Sequence, residues 1–334
     1  MTNPGRSGGG QLRLVLIGAG WITPAHLDGL DRLGRTRLVG VASAREESAR
    51  ATAEPRGATW YAGADLERML DEQRPYVAYV CVPPSAGIAV LERIVERGIP
   101  FLTEKPLAAT DADGPARIAA SIAERRLVAA VGYHLRALPA VAQVRERIAA
   151  SPVHLVTARW LSETPAPAWW RREEAGGGQV VEQATHFYDL ARLLVGEATV
   201  VGAASTREDP VVPAGADVVD ATAAVLRFDT GAIGSFANTR RIATGTVEVE
   251  LAAANVLITI RRVGDDPGGW EVVFEDERGI ETIPPGRDPY EAQAEAFLDA
   301  VDGGDPAAVL SSYADALLTD RLTRAVVAAT GRGG

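Results

Sequence analysis

The chain of 334 residues is short of thiols, amines and imidazoles, with one cysteine (Cys81), one lysine (Lys105) and four histidines. A lone cysteine closes no intramolecular disulfide, and four histidines with one thiol do not fill a zinc-ribbon or zinc-finger ligand set. The expectation is a protein of a reducing, cytoplasmic compartment with no structural metal. No apolar run reaches the ~18 residues that a membrane span needs. Residues 1–10 carry Arg6 and three successive glycines but no apolar leader core, and read as a flexible tail. Basic residues are outnumbered 34 to 44, for a net charge of −10. That balance repels nucleic acid and anionic membranes on average, so neither is expected as a partner.

What is present is a globular composition, 47% apolar and 23% charged. The length suits about two domains of ~150 residues. Every basic side chain except Lys105 is arginine. Arginine stays charged throughout the useful pH range, whereas a lysine amine is a compact charge that burial can tune and that can move protons. The single exception therefore invites a functional reason.

Leu12–Ile17 is a short apolar run ended by Gly18, the pattern of a buried parallel strand. A glycine turn follows, then apolar residues at helical spacing to Leu33, with Pro24 in the first turn, where proline is tolerated. Strands at 37–43, 59–61, 76–82, 99–103 and 128–132 alternate with helices at 46–53, 64–71, 86–97 and 113–125. This predicts an α/β, doubly wound parallel sheet over residues 11–133. From residue 134 to about 330 the strands lengthen and alternate with period 2, at 220–229, 232–238, 246–252, 256–262 and 270–275. Hairpin signals lie at Asp229-Thr230-Gly231 and Asp276–Gly279. An α+β domain with an open, mostly antiparallel sheet is expected, closed by helices at 290–301 and 311–329.

The motifs gather at predicted strand ends. Gly18-x-Gly20, with Trp21 and Ile22 leading into the helix, permits close backbone approach to a pyrophosphate at a helix N-terminus. The third position of that fingerprint is Thr23, expected to crowd the helix–strand contact. The second strand ends in Ser43-Ala44-Arg45 with no acid for a ribose 2′-hydroxyl, which favours NADP over NAD. The alternative is a solvated Arg45 with Glu46 or Glu47 turned toward NAD. Val82-Pro83-Pro84 and Glu104-Lys105-Pro106 end the fourth and fifth strands on the edge where such sheets bind ligands, which places the sole lysine at the mouth of the cofactor crevice.

In the second half, Gly176–Gly178 leads into a predicted helix 179–195. There Glu182 and His186, four apart, share a face, and Asp189 follows. Tyr133, His134 and Arg136 follow the last strand of the first sheet, and Trp160, Trp169, Trp170, Arg171 and Arg172 precede the glycine run. Aromatic faces and arginines of this kind suit a sugar or cyclitol, and equally such tryptophans can pack a loop onto a sheet.

Taken together, Gly18-x-Gly20, Glu104-Lys105-Pro106, and Gly176–Gly178 followed by Glu182-x-x-x-His186-x-x-Asp189 resemble the Gfo/Idh/MocA family of oxidoreductases over nearly the whole chain. The resemblance implies a Rossmann domain, a C-terminal α+β domain used for oligomer contacts (dimer or tetramer), and an NADP or NAD cofactor. It also implies Lys105 beside nicotinamide and substrate, with His186 as the proton-transferring group. Glu182 stands where the family usually has Asp, and Gly87 where many members have His. The reaction expected is hydride exchange with a secondary alcohol or ketone of a sugar, glycoside or cyclitol. Two other readings share the architecture: a glycosidase that uses tightly held NAD in a redox-assisted elimination, and a cofactor-sensing regulator.

Overall fold

The computed structural model describes residues 10–332 apart from 64, 208–214, 265 and 267, so most of the expected N-terminal tail lies outside the described residues. The chain divides into two compact units. The first is residues up to His134 together with Tyr290–Asp315, and the second is Leu135–Pro289 with Ala316 onward.

The first unit holds β1 (Leu12–Ile17), α1 (Thr23–Leu33), β2 (Thr36–Ser43), α2 (Glu46–Ala53), β3 (Thr59–Ala62), α3 (Leu66–Gln73), β4 (Val77–Val80), α4 (Pro84–Glu96), β5 (Phe101–Thr103), α5 (Gly114–Arg125) and β6 (Ala129–Val131). All six strands are parallel, in the order β3-β2-β1-β4-β5-β6. The order reverses between β1 and β4, the switch point at which doubly wound sheets open a ligand crevice at their carboxyl ends. Parallel strands covered on both faces need near-continuous apolar sequence, and β4 is buried at every position. Leu14 and Leu16 of β1 and Tyr79 of β4 pack with Leu27 and Leu30 of α1 and with Ala49 of α2.

The second unit carries β7 (Val153–Leu161), β8 (Ala198–Thr206), β9 (Ala221–Phe228), β10 (Ile233–Thr239), β11 (Val247–Ala253), β12 (Leu257–Arg262), β13 (Trp270–Asp276) and β14 (Gly279–Ile283). They form one sheet in the order β14-β13-β12-β11-β7-β10-β9-β8. Every neighbouring pair is antiparallel except β7 with β10. The alternating burial of β9 shows the one-sided character directly. One face packs on α6 (Val141–Ala150), α9 (Thr185–Val195) and α11 (Tyr313–Val327) through Val144, Phe187, Leu190 and Val326. The other leaves Leu155, Val201, Val225 and Ile233 exposed, with Ile233 paired beside Leu155.

The strands β7, β8 and β14, the last signalled only by its hairpin turn, and the helix α6 were not among the expected elements, and two of the expected helices differ as well. After the short helix α7 (Glu173–Gly176), the expected helix 179–195 is two helices, α8 (Gly178–Glu182) and α9, parted at Gln183 and Ala184, whose amides both donate to the Gln179 carbonyl. Glu182 and His186 therefore sit on separate helices and not on one continuous face. The helix α10 (Pro289–Gly303) packs with the first unit from Tyr290 onward, not with the second. Ala294, Phe297, Leu298 and Val301 complete the core beneath β1 and β4, and Gly29 of α1 makes room for the backbone of Glu291.

Candidate functional site

On the first unit, the carboxyl ends of the strands bring together the dinucleotide residues expected from the sequence. Gly18 follows β1 with φ of 93°, and a Cβ built there would lie 2.2 Å from the carbonyl oxygen of Cys81, just past β4. Only glycine fits that crossing. Gly20 faces open space, with nothing within 4 Å of its virtual Cβ, so a ligand can approach the backbone there. The shape of this turn fits a dinucleotide, with Gly18 closing the turn and Gly20 leaving room above it. Trp21 is exposed and Ile22 half-buried at the start of α1. Thr23 does not crowd the turn. It is buried and braces it, donating to the Gly18 carbonyl at 3.3 Å and accepting from the Gly20 amide at 3.1 Å.

Beyond β2, Ser43 is half-buried, and Arg45 is exposed immediately ahead of α2. After β4, Val82 is half-buried, Pro83 exposed and Pro84 buried as the first residue of α4. At Gly87 a Cβ would meet only the Leu107 carbonyl, at 3.6 Å. Burial, reinforced by the Glu104 carboxylate, pushes the Cys81 thiol well above its ordinary range.

Glu104 and Lys105 follow β5, both half-buried, with the Lys105–Pro106 bond cis. Sequence reasoning missed the partner of Glu104. His26, one turn into α1 and fully buried, lies 2.6 Å from its Oε1 through Nε2. No local pattern could have paired residues 78 apart. Burial alone would raise the Glu104 pKa, but the His26 hydrogen bond and the basic neighbours His26, Lys105 and His134 outweigh it, and the carboxyl titrates below its ordinary range. Tyr133 and His134, expected to contact substrate, are buried in this unit instead, with His134 stacked on Tyr290 at 4.8 Å. Burial is the main force that pushes His134 down to about 3.

On the second unit, His186 is buried in α9 with its ring parallel to that of Trp160, centroids 5.9 Å apart. Trp160, expected on the substrate rim, belongs to the core beside Phe187. Arg136 and Asp189, expected to contact substrate, have buried side chains too. They form a two-armed ion pair at 2.6 and 2.7 Å, and Asp189 also accepts from the Thr319 hydroxyl. The charges that the sequence offered to a ligand are spent on each other. Glu182 is buried at the end of α8, which the Gln179 side chain anchors by donating to the Thr239 carbonyl and accepting from Asn238. Trp169 and Trp170 stack on each other at 4.6 Å, half-buried, with Trp169 against Gly176, and Arg171 is half-buried beside them. Among the described residues no group of three or more His, Cys, Asp or Glu is arranged to hold a metal, and no helix is long and apolar enough to cross a membrane.

Residues 12–133 match the oxidoreductase family with an NAD-binding Rossmann fold named GFO/IDH/MocA, and residues 141–256 match a C-terminal domain of the same family. The myo-inositol 2-dehydrogenase of Thermotoga maritima is 24% identical over 313 residues, covering 89% of this chain and 90% of that protein. The dTDP-3,4-didehydro-2,6-dideoxy-alpha-D-glucose 3-reductase of Streptomyces violaceoruber is 29% identical over 300 residues, 82% and 84% of the two chains. Among solved structures, the 3-ketoreductase KijD10 of Actinomadura kijaniata, in complex with NADP and TDP-benzene, superposes with a TM-score of 0.83 at 22% identity, over 96% of this chain and 98% of that one.

Proposed function

The chain belongs to the Gfo/Idh/MocA family of NAD(P)-dependent oxidoreductases, and from that membership we propose that it exchanges a hydride between NADP, in preference to NAD, and a secondary alcohol or ketone of a sugar or cyclitol. The observation that carries this reading is the shared edge of the first sheet, where the Gly18–Gly20 turn follows the carboxyl end of β1 and the chain's only lysine follows that of β5, with β4 between them. The inositol dehydrogenase and the dTDP-sugar reductase, both relatives over more than four-fifths of the chain, support the substrate class.

In this reading Gly18, Gly20, Trp21 and Ile22 hold the pyrophosphate, Ser43 and Arg45 the 2′-phosphate, and Val82, Pro83, Pro84 and Glu104 the nicotinamide end. The cofactor, when bound, supplies or accepts the hydride. Lys105 stabilises negative charge developing on the substrate oxygen, and His186 takes or gives its proton. Glu182 tunes the charge around these groups, while Trp169, Trp170 and Arg171 contact the ring and hydroxyls. The chain assembles into oligomers through the open sheet face that carries Leu155, Val201, Val225 and Ile233.

The test is a parallel titration with NADPH and NADH, followed by tryptophan and nicotinamide fluorescence, then a sugar and cyclitol panel with the preferred cofactor. Binding of neither, once co-purified cofactor is ruled out, overturns the reading. Wild-type turnover in both Lys105→Met and His186→Ala overturns the assignment of roles.

A further inference from the structure

Resting on the reading that Lys105 acts on the substrate oxygen, we propose that His26 is a positioning residue that holds the Lys105 turn in register through Glu104. The contact is built and not incidental. His26 exposes 1% of its side chain, and its Nε2 lies 2.6 Å from Glu104 Oε1. An ionised carboxylate only accepts, so the contact fixes Nε2 as the donor.

Two tyrosines clamp the imidazole edge-on, Tyr79 at 5.6 Å and 73° and Tyr290 at 5.1 Å and 87°. They come from β4 and α10, so the ring plane is set by elements other than its own helix. The carboxylate is confined as well. Position 132, just past β6, is glycine, and a Cβ there would stand 2.7 Å from Glu104 Oε1. The carboxylate occupies the space that this missing side chain leaves, between His26 on one side and the β6 backbone on the other.

The consequence follows from where each end of this pair is attached. Glu104 is covalently next to Lys105, so fixing its carboxylate restricts the backbone from which the ammonium is projected. His26 lies on α1, the helix that starts from the Gly18–Gly20 turn. One part-buried hydrogen bond thus ties the Lys105 turn to the helix of the dinucleotide turn. Displacements of about 1 Å in a reacting group can cost a hundredfold in rate, so such a tie acts on turnover more than on affinity. The charged and titratable groups that face His26 are Glu104 and its neighbour Lys105, Tyr79, Tyr290 and, stacked beyond Tyr290, His134.

The chain's single lysine supplies a readout independent of activity, because selective ¹³C-lysine labelling gives one Cε–Hε resonance, that of Lys105. In the cofactor-free protein that resonance shifts in both His26→Leu and Glu104→Gln, and His26→Gln, which keeps a donor, restores most of the wild-type position. In kinetics, His26→Leu lowers kcat tenfold or more while the Kd for NADPH changes less than threefold. In a Lys105→Met background it brings no further loss. An unmoved lysine resonance in a folded His26→Leu protein overturns the proposal, as does an additive loss in the Lys105→Met background. Wild-type turnover in Lys105→Met overturns instead the catalytic reading beneath it, and the lysine resonance then still decides whether His26 holds the turn.

Discussion

Arg136 grips Asp189 with two arms of its guanidinium, and both side chains are almost wholly withdrawn from water, at 6% and 1% exposure. A buried pair of this kind is weak evidence for stability in itself, yet removing one partner strands a charge. Asp189→Asn and Arg136→Met should each destabilise the second unit by about 3–5 kcal/mol. The double variant Arg136→Met/Asp189→Leu should recover a large part of that loss. Chemical denaturation of all three checks it, and full additivity of the single losses would show that the two charges do not depend on each other.

Acid should destabilise the fold through His134. Burial holds His134 neutral, with its pKa down at about 3 against an ordinary value near 6.5. The unfolded chain therefore takes up a proton below pH 6.5 that the folded chain refuses. This contribution is fully present above pH 6.5 and is lost as pH falls from there toward 3, at up to about 1.4 kcal/mol per pH unit. His134→Phe keeps a ring to stack on Tyr290 and removes the titration. The fall in unfolding midpoint between pH 7 and pH 5 should be visibly smaller in the variant, and equal slopes would remove His134 from the acid limb.

The two glycines of the dinucleotide turn should fail differently. Gly18→Ala puts a methyl into the Cys81 carbonyl at a positive φ, and should cost about 2–4 kcal/mol of stability even without cofactor. Gly20→Ala meets nothing within 4 Å, so its melting temperature should stay near wild type while NADPH affinity falls about tenfold or more. Thermal unfolding beside NADPH titration separates the two, and a stable Gly18→Ala protein would contradict the packing argument.

Arg45 is exposed ahead of α2, where a 2′-phosphate would lie in the proposed site. Arg45→Ala should weaken NADPH by about tenfold, the worth of one charge-assisted phosphate contact, and leave NADH nearly unchanged. Equal loss for both cofactors would assign Arg45 a structural part, and no loss would return the choice to Glu46 or Glu47.

The parallel sheet was legible because its strands are short apolar runs punctuated by Gly18 and Pro83, and because a buried parallel strand leaves little other choice of sequence. The Gly18 turn was legible for the same steric reason that makes it indispensable. The pairing of Glu104 with His26 was not, since it joins residues far apart in sequence. Arg136 and Asp189 read as ligand contacts because a sequence displays charges without showing that they neutralise each other. The break between α8 and α9 was hidden because apolar spacing runs on through Gln183 and Ala184, and only the shared Gln179 carbonyl marks it. In α10 the apolar stripe announced a buried face and said nothing of which sheet would bury it.

The late position of α10 in the chain bears on how the protein is made. The ribosome delivers β1 to β6 early, but the helix that covers Leu12, Leu14 and Tyr79 emerges only after the whole of residues 135–289. The first unit cannot be finished in the order of synthesis. A nascent chain stalled at residue 289 should display the bare apolar underside of its first sheet, bind trigger-type chaperones and yield to limited proteolysis. Supplying residues 290–315 should end both.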